Sequence, residues 1–517
     1  MSAPIKNNCR RIRPAMFGSA LCCLFAGCAV GPDFARPDAP GIDHYIHGGD
    51  PASTPKASGT VQRFIPGWKV TDAWWQAFRS EKLNAIVAES LKRNPGLEAA
   101  KESLHAAQDN LRSGYGVFFP QVGTNFGATR QKFSPLKFGE NVPASLFNLF
   151  SLSGTIGYTL DVFGGNRRMV ESLGAERDIQ AANERAAYVT LASNVVNAVI
   201  ARAAYQEEIK ATRELIEIEK QQVALSKVQF EAGTVAYSSI LGIEAQLETY
   251  EASLPQLEQN VAQADNLLAT LAGHAPAEWR APDAEFAELS LPHDLPVRLP
   301  SELVRQRPDI LAAEAVAHDA SAQIGVATAA MLPNITLSGS YGQNATAMNS
   351  LLDAKGNVWS LGAGVAQPLF EGGTLWFRRQ STIDTYKQSM ALYHQTVLNA
   401  FGEVANTLSA LDHDAETLAT REDALTTAKE ALHLVQSNYN AGLANYLAVI
   451  VANDQYHEAQ VSKLEAVAAR YQDTVALFVA IGGGWEGESE PASSRGGDIH
   501  ADLHHVLASP RNDTAER

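Results

Sequence analysis

The chain has 517 residues, a net charge of −16, 45% hydrophobic residues and only 19% charged ones, where ordinary soluble domains carry about 25%. The length allows about three domains, and the acidic balance argues against a nucleic-acid partner. Cys9, Cys22, Cys23 and Cys28 are the four cysteines, all near the start, which excludes a disulfide framework, a cysteine-ligated zinc site or a catalytic thiol in the rest of the chain.

Lys6, Arg10, Arg11 and Arg13 form a positive leader, and a short apolar run from Ala15 to Phe25 ends at Ala26-Gly27-Cys28. That is the secretory signal pattern, too short for a permanent span of about 20 apolar residues. Leu24-Phe25-Ala26-Gly27-Cys28 resembles the lipobox of bacterial lipoproteins, with Phe25 where Leu is usual. The resemblance implies cleavage after residue 27 and acylation of Cys28. The mature chain then has a net charge of −20, because the leader carries four positive charges and no negative one. Residues 28–80 form the lipidated N-terminal segment.

The remainder is one unit written twice. Asn94-Pro95-Gly96-Leu97 answers Arg307-Pro308-Asp309-Ile310, and Phe119-Pro120 answers Leu332-Pro333, both 213 residues apart. Gly164-Gly165 answers Gly372-Gly373 at 208; Ala232-Gly233 answers Ala441-Gly442 and Ala272-Gly273 answers Ile481-Gly482, both at 209. Ordered landmarks with so little drift mark an internal duplication, with repeats at 81–273 and 301–484 and a proline-rich linker at 274–300 (Pro276, Pro282, Pro292, Pro296, Pro300).

Each repeat predicts a helix up to a proline (97–118, 310–331), two strands (about 120–131 and 152–162; about 333–343 and 358–369), a very long helix (166–230; 374–439) and a return helix (238–271; 446–481). The strands alternate with period two. Leu152, Ile156, Tyr158, Leu160, Ile335, Leu337, Tyr341, Trp359, Leu361 and Val365 fall on one face. Ser153, Thr155, Thr159, Asp161, Asn334, Thr336, Ser338 and Ser360 fall on the other. Such spans suit a transmembrane barrel, apolar outward and polar toward a lumen. In the second long helix, Ile383, Tyr386, Met390, Tyr393, Val397, Ala400, Val404, Leu408 and Leu411 step by three and four, a heptad seam; from Thr374 to Tyr439 it runs roughly 100 Å at 1.5 Å per residue. Gly233 and Gly442 sit where a glycine ends a helix and turns the chain back.

Four strands cannot close a barrel, and open strand edges are not tolerated in a bilayer. Two copies would give eight strands with a filled interior, whereas three give twelve and room for a lumen. The expectation is a mixed α/β membrane protein, a homotrimer with a 12-stranded β-barrel continuous with an α-helical barrel.

Cys28-Ala-Val-Gly-Pro-Asp-Phe34, Trp74-Trp75-Gln-Ala-Phe78, Asn94-Pro95, Gln306-Arg307-Pro308-Asp309-Ile310, Ile324-Gly325-Val326-Ala327, Pro368-Leu369-Phe370-Glu371-Gly372-Gly373 and Leu477-Phe-Val-Ala-Ile481-Gly-Gly-Gly-Trp485 together resemble the outer-membrane efflux factors of Gram-negative bacteria, the TolC family, in its NodT-like lipoprotein branch. The resemblance implies a passive outer-membrane conduit extending into the periplasm, with a periplasmic adaptor and a proton-driven inner-membrane pump as partners and small toxic compounds as cargo. It also implies periplasmic tips for adaptor docking and gating at Gly233, Thr234, Val235, Ala236, Tyr237 and at Gly442, Leu443, Ala444, Asn445, Tyr446. Family members often carry an Asp ring near the second tip. This chain has Ala444, Ala448 and Val451 there, with Asp454 the nearest acid, so Leu443 or Tyr446 is expected to constrict the aperture by bulk.

No enzyme signature is present: there is no Gly-x-Ser-x-Gly, no His-Glu-x-x-His and no phosphate loop. No cofactor or metal is expected. His500, His504 and His505 fall in a polar tail, 485–517, expected to be disordered, and Glu207, Glu208, Glu217 and Glu219 are expected on a solvated helix face. The alternatives are a type I protein-secretion or metal-efflux conduit, or a non-conducting periplasmic coiled-coil scaffold.

Overall fold

A computed structural model describes residues 29–68, 71–134, 139 and 143–483. The expected signal peptide, Cys28 and the expected tail with its three histidines lie outside the described residues.

In chain order, an extended arm leads into β1 (Arg63–Pro66), then come α1 (Glu81–Arg93), α2 (Pro95–Gly114), β2 (Gln121–Phe133), β3 (Ser145–Leu160), α3 (Gly165–Glu231) and α4 (Tyr237–Leu271). The second half holds β4 (Asp294–Val297), a single helical turn at Pro300–Leu303, α5 (Pro308–Ala329), β5 (Asn334–Ala345), β6 (Asn357–Ala366), α6 (Thr374–Asn440) and α7 (Tyr446–Ala480). α3 and α6 each have 67 residues, and α4 and α7 each have 35.

Local chemistry sets these boundaries. Asn94 Oδ1 accepts from the Gly96 and Leu97 amides at 2.9 and 3.1 Å, capping α2, whose first residue is Pro95; a proline there loses no helical hydrogen bond. Both long helices end in the same 6→1 and 5→2 pair of bonds: Thr234 N to Gln229 O (2.9 Å) with Gly233 N to Phe230 O (2.8 Å), and Leu443 N to Asn438 O (2.8 Å) with Gly442 N to Tyr439 O (2.9 Å). That motif needs a left-handed residue, and Gly233 and Gly442 have φ of 72° and 74°.

Two strands differ from expectation. β3 begins at Ser145, well before 152, because Leu146, Phe147, Leu149 and Phe150 place apolar side chains on both faces and mask the alternation. β6 stops at Ala366 rather than 369, since Pro368 has no amide to donate to a ladder.

β2, β3, β5 and β6 form one antiparallel sheet in that order, so the two hairpins meet at the β3–β5 ladder. Below the sheet, the four long helices pack into a shaft with α2 and α5 against its upper part. The shaft's main core joins Val195, Val196, Val199 and Ile200 of α3 to Val397, Val404, Leu408 and Leu411 of α6 and Val475 and Phe478 of α7. Trp74 stacks on Phe478 at 5.1 Å and Phe78 on Tyr471 at 6.0 Å, which docks the arm. The segment between the repeats joins the same core: Ala281, Ala284, Leu289, Leu295 and Val297 are buried, and β4 pairs in parallel with β1.

Where α6 crosses α7, Asp414 meets Asp473 carboxyl to carboxyl, and one Asp414 oxygen is buried without a donor. Two carboxylates bond only by holding a proton between them, so burial first, then Asp473, pushes Asp414 up to about 7. A raised carboxyl stabilises the fold fully below the ordinary carboxylate range and loses that contribution as pH rises through about 7. The wild-type chain is therefore expected to lose about 1–2 kcal/mol between pH 5 and pH 8 at this half-buried site. Asp414→Asn is expected to flatten that dependence and melt above the wild type at pH 8, as thermal unfolding at the two pH values will show.

Candidate functional site

Register decides the two faces of the sheet. Thr155 lies opposite Ser340, Gly157 opposite Ser338, Thr159 opposite Thr336, and Ser153 opposite Gly342; Ser360 lies opposite Ser340, and their hydroxyls are 2.8 Å apart. Asn334 continues this face at the helix-side end, opposite Ala366. The other face pairs Ile156 with Gly339, Tyr158 with Leu337, Leu160 with Ile335 and Tyr341 with Trp359. It is openly apolar: Leu361 is 81% exposed and Val365, Trp359 and Tyr341 are also exposed. Both outer edges, β2 and β6, lack a partner strand among the described residues.

Asp161 is a correction to the polar-face set. It lies beyond the end of β3, and its carboxylate accepts from the Asn166 and Arg167 amides at 2.9 and 3.0 Å and from Arg167 Nε at 3.2 Å. It neutralises the amide-rich start of α3, a duty that continued alternation could not reveal.

Arm residues directly after Cys28 are docked at this junction. Val30 N donates to Phe163 O at 3.0 Å. Arg168 donates to Val30 O at 3.2 Å and pairs with Asp33 at 2.6 Å, and Phe34 stacks on His318 at 4.6 Å. Backbone contact is close enough to require glycine: a Cβ on Gly164 (φ 76°) would stand 2.6 Å from Ala29, and one on Gly31 would stand 2.5 Å from the Gly325 Cα.

At the far end, the two turns differ in what they expose. In the first, Thr234 Oγ1 donates to Gln229 O at 2.8 Å, Val235 is half-buried, Ala236 is exposed, and Tyr237 is exposed beside Phe230 at 5.6 Å. In the second, Asn445 Oδ1 caps α7 through the Ala448 amide at 3.1 Å, Ala444 is half-buried and Leu443 is 79% exposed. Tyr446 is only 7% exposed. Its hydroxyl donates to Glu219 Oε2 at 3.1 Å and its ring meets Tyr439 at 5.4 Å, so it cannot constrict an aperture by bulk. Leu443 remains on the surface with Leu447 and Val451.

Glu219 is the residue sequence reasoning missed. It is 0% exposed, not on a solvated face, and also accepts from Asn453 Nδ2 at 2.9 Å. Burial raises its carboxyl, Asp454 adds to the rise, and the two donors only partly offset it. A signal was present: Thr212, Ile216, Glu219, Val223 and Ser226, all buried, step by four and three like a core seam. Asp454 is likewise turned inward, accepting from Gln246 Nε2 at 2.7 Å and from the Tyr250 hydroxyl. Tyr250 faces His457 edge-on at 5.8 Å, where burial lowers the imidazole against an opposing pull from Asp454. Together, Glu219 and Asp454 tie α7 to α3 and α4 of the first repeat. Among the described residues no group of His, Cys, Asp and Glu is arranged to hold a metal.

This sheet-and-shaft architecture has known counterparts. The sequence profile of the outer membrane efflux protein family matches residues 86–274 and again 299–483. The chain belongs to that family. It is 29% identical to nodulation protein T of Rhizobium leguminosarum bv. viciae over 89% of this chain and 92% of that protein. It is 28% identical to the pyoverdine export outer membrane protein OpmQ of Pseudomonas aeruginosa over 81% of this chain and 88% of that one. The solved outer-membrane channel OprN superposes with a TM-score of 0.80 at 27% identity, covering 89% of this chain and all of that one. The protein is the outer-membrane channel of an efflux system, extending into the periplasm.

Proposed function

We propose that three copies of this chain close their sheets edge to edge into a 12-stranded β-barrel, through which small toxic molecules leave passively. The observation that carries this reading is the four-stranded sheet itself, with both edges unpaired among the described residues, one face exposed and apolar, the other lined by Ser153, Thr155, Thr159, Asn334, Thr336, Ser338 and Ser360. Closure satisfies the edges, lipid covers the apolar face and water fills the polar one. The helical shaft continues the conduit, and its tips at Gly233–Tyr237 and Gly442–Tyr446 are where a periplasmic adaptor docks and passes cargo from a proton-driven inner-membrane pump. Export of pyoverdine by a relative supports small molecules over a type I protein substrate or a metal ion.

Cys28 is the lipid anchor in this reading. Ala29, the next residue, lies against Gly164 at the strand–helix junction, so acyl chains on Cys28 enter the leaflet where the barrel meets the shaft and supply the second membrane signal that stable anchoring needs. The aperture at the second tip is apolar, made by Leu443 with Leu447 and Val451, and it carries no ring of fixed charge to favour cations.

Two measurements test the reading together. Purified protein is expected to have a trimer's mass in detergent and to form discrete channels in a planar bilayer; a monomer without channels overturns the barrel. Ile156→Lys, on the apolar face, is expected to lower assembly by about 2–4 kcal/mol if it sits near the bilayer midplane. Thr155→Lys, one residue along and facing the lumen, is expected to assemble normally. Equal behaviour of the two variants would place neither face against lipid.

A further inference from the structure

The outer end of the sheet reverses the chemistry of its inner face. β3 pairs with β5 only as far as Phe150↔Ala345, whereas its ladder with β2 runs on to Phe133↔Ser145. Residues 145–149 of the β2–β3 hairpin therefore stand beyond the four-stranded sheet, by about 17 Å at about 3.4 Å per residue, on the end away from the helices. The face that carries Ser153 and Ser151 continues to Leu149 and Phe147, opposite Thr129 and Gln131. Nearer the helices that face is Ser, Thr, Asn and Gly; at the overhang it turns apolar. On the opposite face the parity of Phe126 and Ala128 continues to Arg130 and Lys132, both exposed. Cations there fit the charged headgroup level above an apolar belt, which places the overhang at the outer rim of the membrane.

Two features make the apolar pair consequential. Among the described residues no third strand of the same chain pairs with the overhang, so on the β3 side no ladder fixes it in the barrel wall. Phe147 and Leu149, both half-buried in one chain, would face the lumen in the trimer, and apolar surface in that position gains about 25 cal/mol per Å² by meeting its like. We propose that Phe147 and Leu149 from three copies lean together at the outer mouth as an apolar collar, a second constriction that resists hydrated or charged solutes approaching from outside. An apolar ring of this kind gates by shedding water from the pore. The inference rests on the trimeric-channel reading and adds a specificity element at the end opposite the tips.

The cysteine distribution supplies a clean test. All four cysteines lie at or before position 28, so Ser338→Cys places a single reporter thiol on the inner face between the collar and the helices, opposite Gly157 and Gly362. Intact cells are treated with a charged, membrane-impermeant maleimide and the labelling rate is read. In the otherwise native chain the reporter is expected to react slowly. Adding Phe147→Ser with Leu149→Ser is expected to speed labelling about tenfold, while Phe147→Leu, which keeps the apolar character, is expected to leave it slow. Trimer content of each variant on an unheated gel shows that the barrel has assembled. Equal rates with and without the serine substitutions would overturn the collar and leave the channel intact. A reporter that reacts only with a lipid-soluble maleimide, in every background, would overturn the lumen reading and the collar with it.

Discussion

Tyr446→Phe combined with Asn453→Leu is expected to raise single-channel conductance about fivefold by loosening the inner tip. Both substitutions keep side-chain volume close to the original and remove a hydrogen-bond donor to the same carboxyl group. Glu219 is fully buried and takes its bonds from Tyr446 and Asn453 of α7. Without them a buried polar group is orphaned, at about 1–3 kcal/mol for each lost donor. That cost falls on one contact, the seam where α7 of the second repeat leans on α3 of the first. α7 would then be held on this flank by Asp454 through Gln246 and Tyr250 and by the apolar packing of Val449 with Val223 and Ile243.

Glu219→Gln separates a loosened tip from a general loss of stability. The amide keeps an oxygen to accept from Asn453 Nδ2, its NH2 donates to the Tyr446 hydroxyl oxygen in place of the bond that the carboxyl accepted, and it removes the burial penalty that raises the Glu219 carboxyl. Because that pKa is raised, the acid stabilises the α3–α7 contact most fully below its ordinary range and loses this contribution as pH rises through its folded value. Glu219→Gln is therefore expected to hold the tip shut at pH 7.5 and to abolish any rise in conductance between pH 5 and pH 7.5. If both variants conduct like the wild type at both pH values, the Glu219 contact does not hold the tip.

Arg470→Met is expected to have the largest effect on stability, about 3 kcal/mol, and to free the N-terminal arm. Arg470 is 1% exposed and donates Nε to Gln62 Oε1 at 3.0 Å, Nη1 to Ala57 O at 3.3 Å and Nη2 to Thr54 Oγ1 at 3.3 Å. Burial lowers its pKa, and no carboxylate is bonded to it directly. Instead, Thr54, Ala57, Thr60 and Gln62 of the arm wrap the charge with oxygen atoms, each such bond contributing about 1.5–3 kcal/mol. Removing the guanidinium strands those acceptors inside the core and weakens the seat of β1 beside β4. Limited trypsin digestion is the sensitive readout: Lys56 and Arg63 are exposed within the wrapped segment and are expected to be cut quickly in the variant and slowly in the wild type. Equal digestion would show that the aromatic anchors Trp74 and Phe78 hold the arm alone.

The duplication, the four strands, the long helices and the glycine turns were legible in the sequence because each rests on local chemistry. A left-handed turn selects Gly233 and Gly442, a proline opens α5, and period-two alternation marks a strand that has two different solvents on its faces. The heptad seam of α6 was legible from Tyr393 to Leu411, where those residues are buried against neighbouring helices. α3 shows no such single seam, for a physical reason. It packs against α1, α2, α4, α5 and α7, so apolar residues are demanded on several of its faces and no single stripe survives.

The list of elements, the apolar and polar faces of the strands and the family follow from local chemistry along the chain. Which polar residues carry solvent and which carry the fold depends on packing in three dimensions. Glu219 steps with a core seam but shows no partner in a linear pattern, and Asp161 and Tyr446 look like lumen or tip residues there. One is sealed between α3 and α7, one caps a helix beyond its strand, and one is turned inward to a carboxyl group more than 200 residues away. Likewise, the overhang of the β2–β3 hairpin depends on where the β3–β5 ladder stops. Pairing across such distances is set by register and packing between repeats, and a residue's neighbours along the chain say nothing about it.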